Sequence, residues 1–139
     1  MDCIFCKIIK GDIPSYTIYE DDIVKVFLDV NPMSPGHMLI IPKKHFENLD
    51  DIDIDTLTHI NEIAKKMHIL LKEKLNIDGM SIMQNNGDVQ EVKHYHMHLK
   101  PYYKENNGIS VEEVYKKLIG WNAPLRVDIN KKTVEKEMC

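Results

Sequence analysis

The sequence predicts an α+β fold, an antiparallel sheet with one long and one short helix packed on one face. Three observations predict it: β-prone runs paired across turn signals, a single long stretch of helical periodicity between them, and a short capped amphipathic run near the end.

Residues 23–30 alternate and are rich in Val, Ile and Phe, and Asn31-Pro32 and Pro35-Gly36 then mark a turn before a second apolar run at 38–41. This spacing predicts two strands joined by a tight loop. Over 54–75 the apolar residues Leu57, Ile60, Ile63, Ala64, Met67, Leu70 and Leu71 recur at helical spacing, with acidic residues before them and Asn76 and Gly79 after them. That stretch is the longest predicted helix. Residues 80–83 and 93–102 read as strands around a polar turn at Asn85-Asn86-Gly87. Ser110 and Glu113 have the capping-box spacing, and Val111, Val114, Tyr115 and Leu118 form one face of a short helix that ends before Gly120.

The chain has 139 residues, 43% of them hydrophobic, enough for one compact domain and one core over 1–139, with a polar tail after about residue 130. Eighteen basic residues against 22 acidic give a net charge of -4, so no positive field gathers a long DNA or RNA. No apolar run approaches the roughly 18 residues of a membrane span, and the N-terminus lacks a signal-peptide layout. The expected location is the cytoplasm. Three cysteines, with Cys3 and Cys6 close together, do not form a secreted disulfide framework and suit a reducing compartment, with Cys139 a free thiol.

The most informative segment is His94-Tyr95-His96-Met97-His98-Leu99. Successive side chains of a strand point to opposite faces, so all three imidazoles share one face while Tyr95, Met97 and Leu99 turn together toward apolar packing. Such a row supports two chemistries. Neutral imidazole is a common zinc ligand, and it is also a nucleophile that can accept a phosphoryl or nucleotidyl group near neutral pH and release it to water. In the second case one histidine attacks, a neighbour orients it or supplies a proton, and nearby donors neutralise the phosphoryl oxygens. His96 sits in the middle, flanked by both helpers.

His94-Tyr95-His96-Met97-His98 resembles the His-φ-His-φ-His signature of the histidine triad (HIT) family. Cys3-Ile4-Phe5-Cys6-Lys7-Ile8-Ile9, Ile13-Pro14-Ser15, Tyr19-Glu20-Asp21-Asp22, Phe27-Leu28-Asp29 and Pro35-Gly36-His37 through Ile41-Pro42-Lys43-Lys44-His45 resemble that family's N-terminal half, in order. The likeness covers about residues 3–102, leaving a tail of about 103–139 outside it. It implies the HIT α+β fold, a homodimer whose sheets join, and cleavage at the α-phosphate of purine nucleoside phosphoramidates or dinucleoside polyphosphates through a nucleotidyl-histidine. By this resemblance His96 is the nucleophile and His98 lies at the scissile or α-phosphate oxygens. Asn85 contacts the phosphate region, Asp29 accepts ribose hydroxyls, and Ile4, Phe5, Ile8, Phe27 and Val30 line the base pocket.

Two departures from the family pattern stand out. The turn Gly87-Asp88-Val89-Gln90-Glu91-Val92 is short and lacks the usual Ala-Gly, so Gln90 and Glu91 carry no assigned leaving-group contact. Tyr102 stands where an arginine often follows the triad, leaving Lys100 as the nearest cation.

Cys3 and Cys6 have the spacing of a zinc half-site, and a closed structural site needs four ligands. Resemblance to the bacterial zinc-containing HIT proteins supplies His45 and His94 as the other two, with zinc as a structural cofactor. His37 is open to a supporting role beside the triad or to a plain turn role, and His59 and His68 read as surface residues of the long helix. Two further functions remain in view. One is a nucleotide-binding regulatory protein with weak or no turnover; the other is a metallohydrolase with a catalytic ion on the three histidines.

Overall fold

A computed structural model of the chain describes residues 3–105 and 108–119. Its elements are α1 (Ile4–Lys10), β1 (Thr17–Glu20), β2 (Val24–Leu28), β3 (Met38–Pro42), α2 (Ile54–Leu75), β4 (Gly79–Gln84), β5 (Met97–Tyr102) and α3 (Val111–Ile119), with a single 3-10 turn at Gly87–Val89. Five strands form one sheet in the order β1-β2-β3-β5-β4, and every neighbouring pair is antiparallel. The α+β class and the antiparallel sheet follow the sequence expectation. The polar tail, the helix end at Gly120 and Cys139 lie outside the described residues.

Alternation along the strands splits the core in two. Val24, Val26, Leu28, Met38, Ile40, Met97 and Leu99 face α2 and α3 and join their buried residues in the larger cluster. On the opposite face Phe27, Leu39 and Ile41 pack against Phe5 and Ile8 of α1. The expected long and short helices, α2 and α3, share one face as predicted, and the correction is that α1 covers the other.

The additional helix α1 has only 7 residues and is capped by Cys3, whose Sγ accepts the Cys6 N–H, instead of by a usual N-cap side chain. It ends at Gly11, in the left-handed region at φ 88°. Lys25, buried on β2, donates from Nζ to the Ile8 carbonyl at 3.3 Å and so ties α1 to the sheet. Its charge is matched by Glu20 at 3.7 Å, and Glu20 also takes Lys43 at 2.6 Å.

The triad segment departs from the expected strand over residues 93–102. The ladder begins only at Met97, opposite Ile40 of β3 and Gln84 of β4. Pro42, at the end of β3, has no N–H to offer, and its carbonyl is occupied by the His94 ring at 2.8 Å. The Tyr95 N–H turns instead to the Phe46 carbonyl at 2.7 Å, in the loop after β3. The segment remains extended enough that Tyr95, Met97 and Leu99 enter the larger core together, as the alternation predicts.

Candidate functional site

The site lies on the α1 face of the sheet, where β5, the segment entering it, the end of β2 and the loop from β2 to β3 converge. His98 on β5 pairs with Leu39 of β3 and Met83 of β4, one strand in from the edge of the sheet. The His96 and His98 rings lie 5.0 Å apart. Phe5 of α1 packs edge-on against His96 at 5.0 Å and against His94 at 5.9 Å. This apolar lid explains why His94 and His96 are buried.

Hydrogen bonds fix where the His96 proton sits. Its Nδ1 lies 2.7 Å from the His94 carbonyl, which can only accept, so Nδ1 carries the proton and Nε2 keeps its lone pair. Burial pushes the His96 imidazole below its usual pKa, opposed by the His94 bond and by the charges of Asp29 and Glu91. A neutral ring with a free Nε2 is the form a nucleophile requires. Burial first, and then the neighbouring His96 and His37, pushes His98 down to about 4.

His37, left open at the sequence level, belongs to this site. It is 3% exposed, and its Nε2 lies 3.0 Å from His98 Nδ1 and 3.7 Å from Asp29 Oδ2. Its Nδ1 accepts the Met33 N–H at 3.0 Å. The sequence holds one signal for it: a histidine directly after a Pro-Gly turn and directly before an all-buried strand cannot easily face solvent.

The other residues named from sequence are placed unequally. Asp29 is half-buried beside His37, and its Oδ1 also accepts the Asn31 N–H at 2.8 Å. Asn85 follows the last paired residue of β4, which places it alongside the triad segment. Phe5, Ile8 and Phe27 are buried together, whereas Ile4 is 46% and Val30 66% exposed. Only three of the five apolar positions thus form a closed wall. Gln90 is buried and donates to the Glu47 carbonyl at 2.6 Å, so it braces the shortened turn, while Glu91 is exposed beside Ile4, His45 and Val92. Lys100 continues the His96–His98 row, with its Nζ 3.6 Å from Met83 Sδ. His59 is not a plain surface residue: its Nε2 meets Asp21 Oδ2 at 2.6 Å and pins α2 to the β1–β2 turn.

Cys3, Cys6, His45 and His94 come together behind the triad. Their donor atoms all lie within 4.8 Å of one another. Cys3 Sγ is 3.4 Å and Cys6 Sγ 3.6 Å from His94 Nδ1, and Cys6 Sγ is 3.3 Å from His45 Nδ1. Two thiols and two imidazoles at such separations suit a tetrahedral ion with bonds of about 2.0–2.3 Å. The proton pattern agrees as well. His94 must donate Nε2–H to the Pro42 carbonyl, which leaves Nδ1 as a lone pair aimed at the thiols, the arrangement usual in metal-bound histidine. Burial and the adjacent Cys3 thiol raise the Cys6 pKa, so a cation is what would hold the thiolates.

The chain is similar to known proteins in both sequence and fold. A family model described as the HIT domain matches residues 10–105. A HIT-like protein of Methanocaldococcus jannaschii is 43% identical over 129 residues, covering 85% of this chain and 99% of the relative. An adenosine 5'-monophosphoramidase of Saccharomyces cerevisiae is 42% identical over 123 residues, covering 87% of this chain and 70% of the relative. Among solved structures, a zinc-bound histidine triad family protein of Mycobacterium smegmatis superposes with a TM-score of 0.80 at 32% identity, covering 86% of this chain and 92% of the other.

Proposed function

This chain belongs to the histidine triad (HIT) family, and from that premise we propose that it is a hydrolase or transferase acting at the α-phosphate of purine nucleotide derivatives. The substrate class is a nucleoside phosphoramidate, as the name of the yeast relative suggests, or a dinucleoside polyphosphate. The observation that carries the reading is the commitment of His96 Nδ1–H to the His94 carbonyl at 2.7 Å, which leaves Nε2 with its lone pair on a ring that is itself buried.

In the proposed reaction the Nε2 lone pair of His96 attacks the α-phosphorus. The bond from phosphorus to the leaving nitrogen or oxygen breaks, and its electron pair departs with the leaving group, which takes up a proton. Water then attacks the nucleotidyl-His96, the P–N bond breaks, its pair returns to Nε2, and a nucleoside monophosphate leaves with release of a proton. His98 lies beside the phosphoryl oxygens and Asn85 contacts the phosphate from the β4 side. Asp29 accepts the ribose hydroxyls, a role suited to a half-buried carboxylate with acceptor capacity to spare. Phe5, Ile8 and Phe27 form the wall of the base pocket, and the exposed Ile4 and Val30 close over the bound base.

Intact-mass spectrometry of enzyme quenched during turnover of an adenosine phosphoramidate tests this reading. A covalent adenylyl adduct that maps to His96 is expected. Turnover with the adduct on another residue would sink the assignment. Nucleotide binding with turnover at background would instead favour a regulatory role.

The Cys3, Cys6, His45 and His94 cluster binds zinc in this reading, supported by its donor chemistry and by the zinc-bound relative. The ion would supply positive charge to hold the two thiolates and would fasten α1 to the triad segment without using His96. Protein purified without chelator is expected to hold about one zinc per chain, and Cys6→Ser to lose most of it. Elemental analysis that finds only traces in the wild type would overturn the site. No helix among the described residues is long and apolar enough to cross a membrane, and we place the protein in the cytoplasm as a homodimer. Light scattering should give twice the mass of the chain, and a monomer at working concentration would contradict the dimer.

A further inference from the structure

Asp29, His37 and His98 form a second group of potential ligands, with donor atoms all within 4.8 Å of one another. Two imidazoles and a carboxylate at this spacing could hold a divalent ion or could hold one another through protons. The hydrogen bonds decide between the two. His37 Nδ1 lies 3.0 Å from the Met33 backbone nitrogen, which can only donate, so Nδ1 is the lone pair of this ring. A neutral imidazole with a lone pair on Nδ1 carries its proton on Nε2. That is the atom a metal would need bare, and a metal-bound histidine donates from its other nitrogen instead of accepting there. This group therefore does not meet the condition that His94 meets.

The Nε2 proton of His37 has one partner in hydrogen-bond range, His98 Nδ1 at 3.0 Å, while Asp29 Oδ2 lies farther off at 3.7 Å. His98 Nδ1 must then accept, and the proton of the neutral His98 ring sits on Nε2. That atom makes no hydrogen bond among the described residues. We infer that His37 is a positioning residue: through the chain Met33 N–H to His37 to His98, it holds the His98 proton on Nε2 and fixes that ring as a hydrogen-bond donor toward the substrate.

The consequence separates the two triad histidines that flank the reaction. His96 is held with Nε2 bare and His98 with Nε2 protonated, each by an acceptor or donor that cannot exchange roles. A neutral ring whose Nδ1 already accepts cannot give its Nε2 proton away without becoming an anion. His98 therefore donates a hydrogen bond to a phosphoryl oxygen throughout the reaction, and the proton taken up by the leaving group comes from solvent. Burial of both His37 and His98, which favours their uncharged forms, fits this role. The inference rests on the reading of His98 as the phosphate contact.

Long-range proton–nitrogen NMR of the full chain labelled with 15N-histidine reads the tautomers directly. His98 is expected to show a protonated Nε2 and an unprotonated Nδ1, and His96 the reverse. His37→Met, which keeps the bulk and removes the donor, should lose the fixed His98 tautomer and lower kcat about tenfold with KM nearly unchanged. His37→Gln, which can donate from a similar position, should restore most of kcat. A wild-type His98 protonated on Nδ1 overturns the inference whatever the variants do, and so does a folded His37→Gln as slow as His37→Met. Nε2-protonated His98 in a protein without phosphoramidate turnover would leave the tautomer assignment standing and remove the functional reading alone.

Discussion

Replacing His96 by alanine is expected to lower phosphoramidate turnover by at least ~10³-fold while leaving the affinity for nucleoside monophosphate within about threefold. The size of the effect follows from the kind of group removed. A covalent nucleophile has no substitute in the site: the neighbouring imidazoles are committed elsewhere, His94 by its bond to Pro42 and its place among the thiols, His98 by its bond to His37. Binding is expected to survive because the proposed base wall of Phe5, Ile8 and Phe27 packs as one apolar cluster and loses only the edge contact of Phe5 with the His96 ring. His98→Ala should be milder, about 10²-fold in kcat, the usual effect of removing one donor to a developing anion. The two variants are compared in single-turnover experiments with saturating enzyme. A His96→Ala protein within tenfold of wild type would remove the covalent mechanism, because uncatalysed water attack cannot compensate to that degree.

The second large effect concerns Gly36, which directly precedes His37. Its φ is 92°, a region that costs an L-residue about 1–2 kcal/mol. A Cβ there would meet Leu71 Cδ2 at 2.8 Å, Leu75 Cδ1 at 2.9 Å and Pro101 Cγ at 3.2 Å. Leu71 and Leu75 are 0% and 7% exposed, so neither can swing aside into solvent, and overpacking of this kind costs about 1–3 kcal/mol more. Gly36→Ala is therefore expected to destabilise by about 3 kcal/mol and to lower Tm by roughly 10 °C. Activity should fall as well, since the His37 carbonyl accepts the Asp29 N–H at 2.9 Å and the displaced loop carries both side chains with it. Gly87→Ala is the internal comparison. Its φ of 71° is also left-handed, but nothing lies within 4 Å of the added carbon, so only the conformational cost of about 1 kcal/mol applies. Equal melting temperatures for the two variants would show that the crowding against α2 is not real.

Much of this architecture is legible in the order of residues. The apolar spacing from 54 to 75 defines α2, and the alternation of 94–99 assigns Tyr95, Met97 and Leu99 to the core and the histidines to the other face. Both are local periodicities, set by helix and strand geometry whatever the rest of the chain does. α1 was legible in principle: Phe5 and Ile8 have helical spacing, Lys7 and Lys10 occupy the last turn, and Gly11 ends it. A cysteine cap and only 7 residues made that signal weak. β1 is a four-residue edge strand whose register shifts between Thr17 and Tyr19, and so brief a run leaves no clear period to read.

The sequence by itself determined which face each side chain takes, because that depends on neighbours two to four positions away. It also carried the family, because the signature is contiguous. Only the tertiary structure decided the chemistry of each imidazole, because a ring's proton sits where its partners require, and those partners are distant in the chain. His37 and His98 are 61 positions apart, and Cys3 and His94 are 91. Two identical side chains separated by one residue, His96 and His98, thereby acquire opposite roles, one from a carbonyl two residues before it and the other from the loop that enters the neighbouring strand.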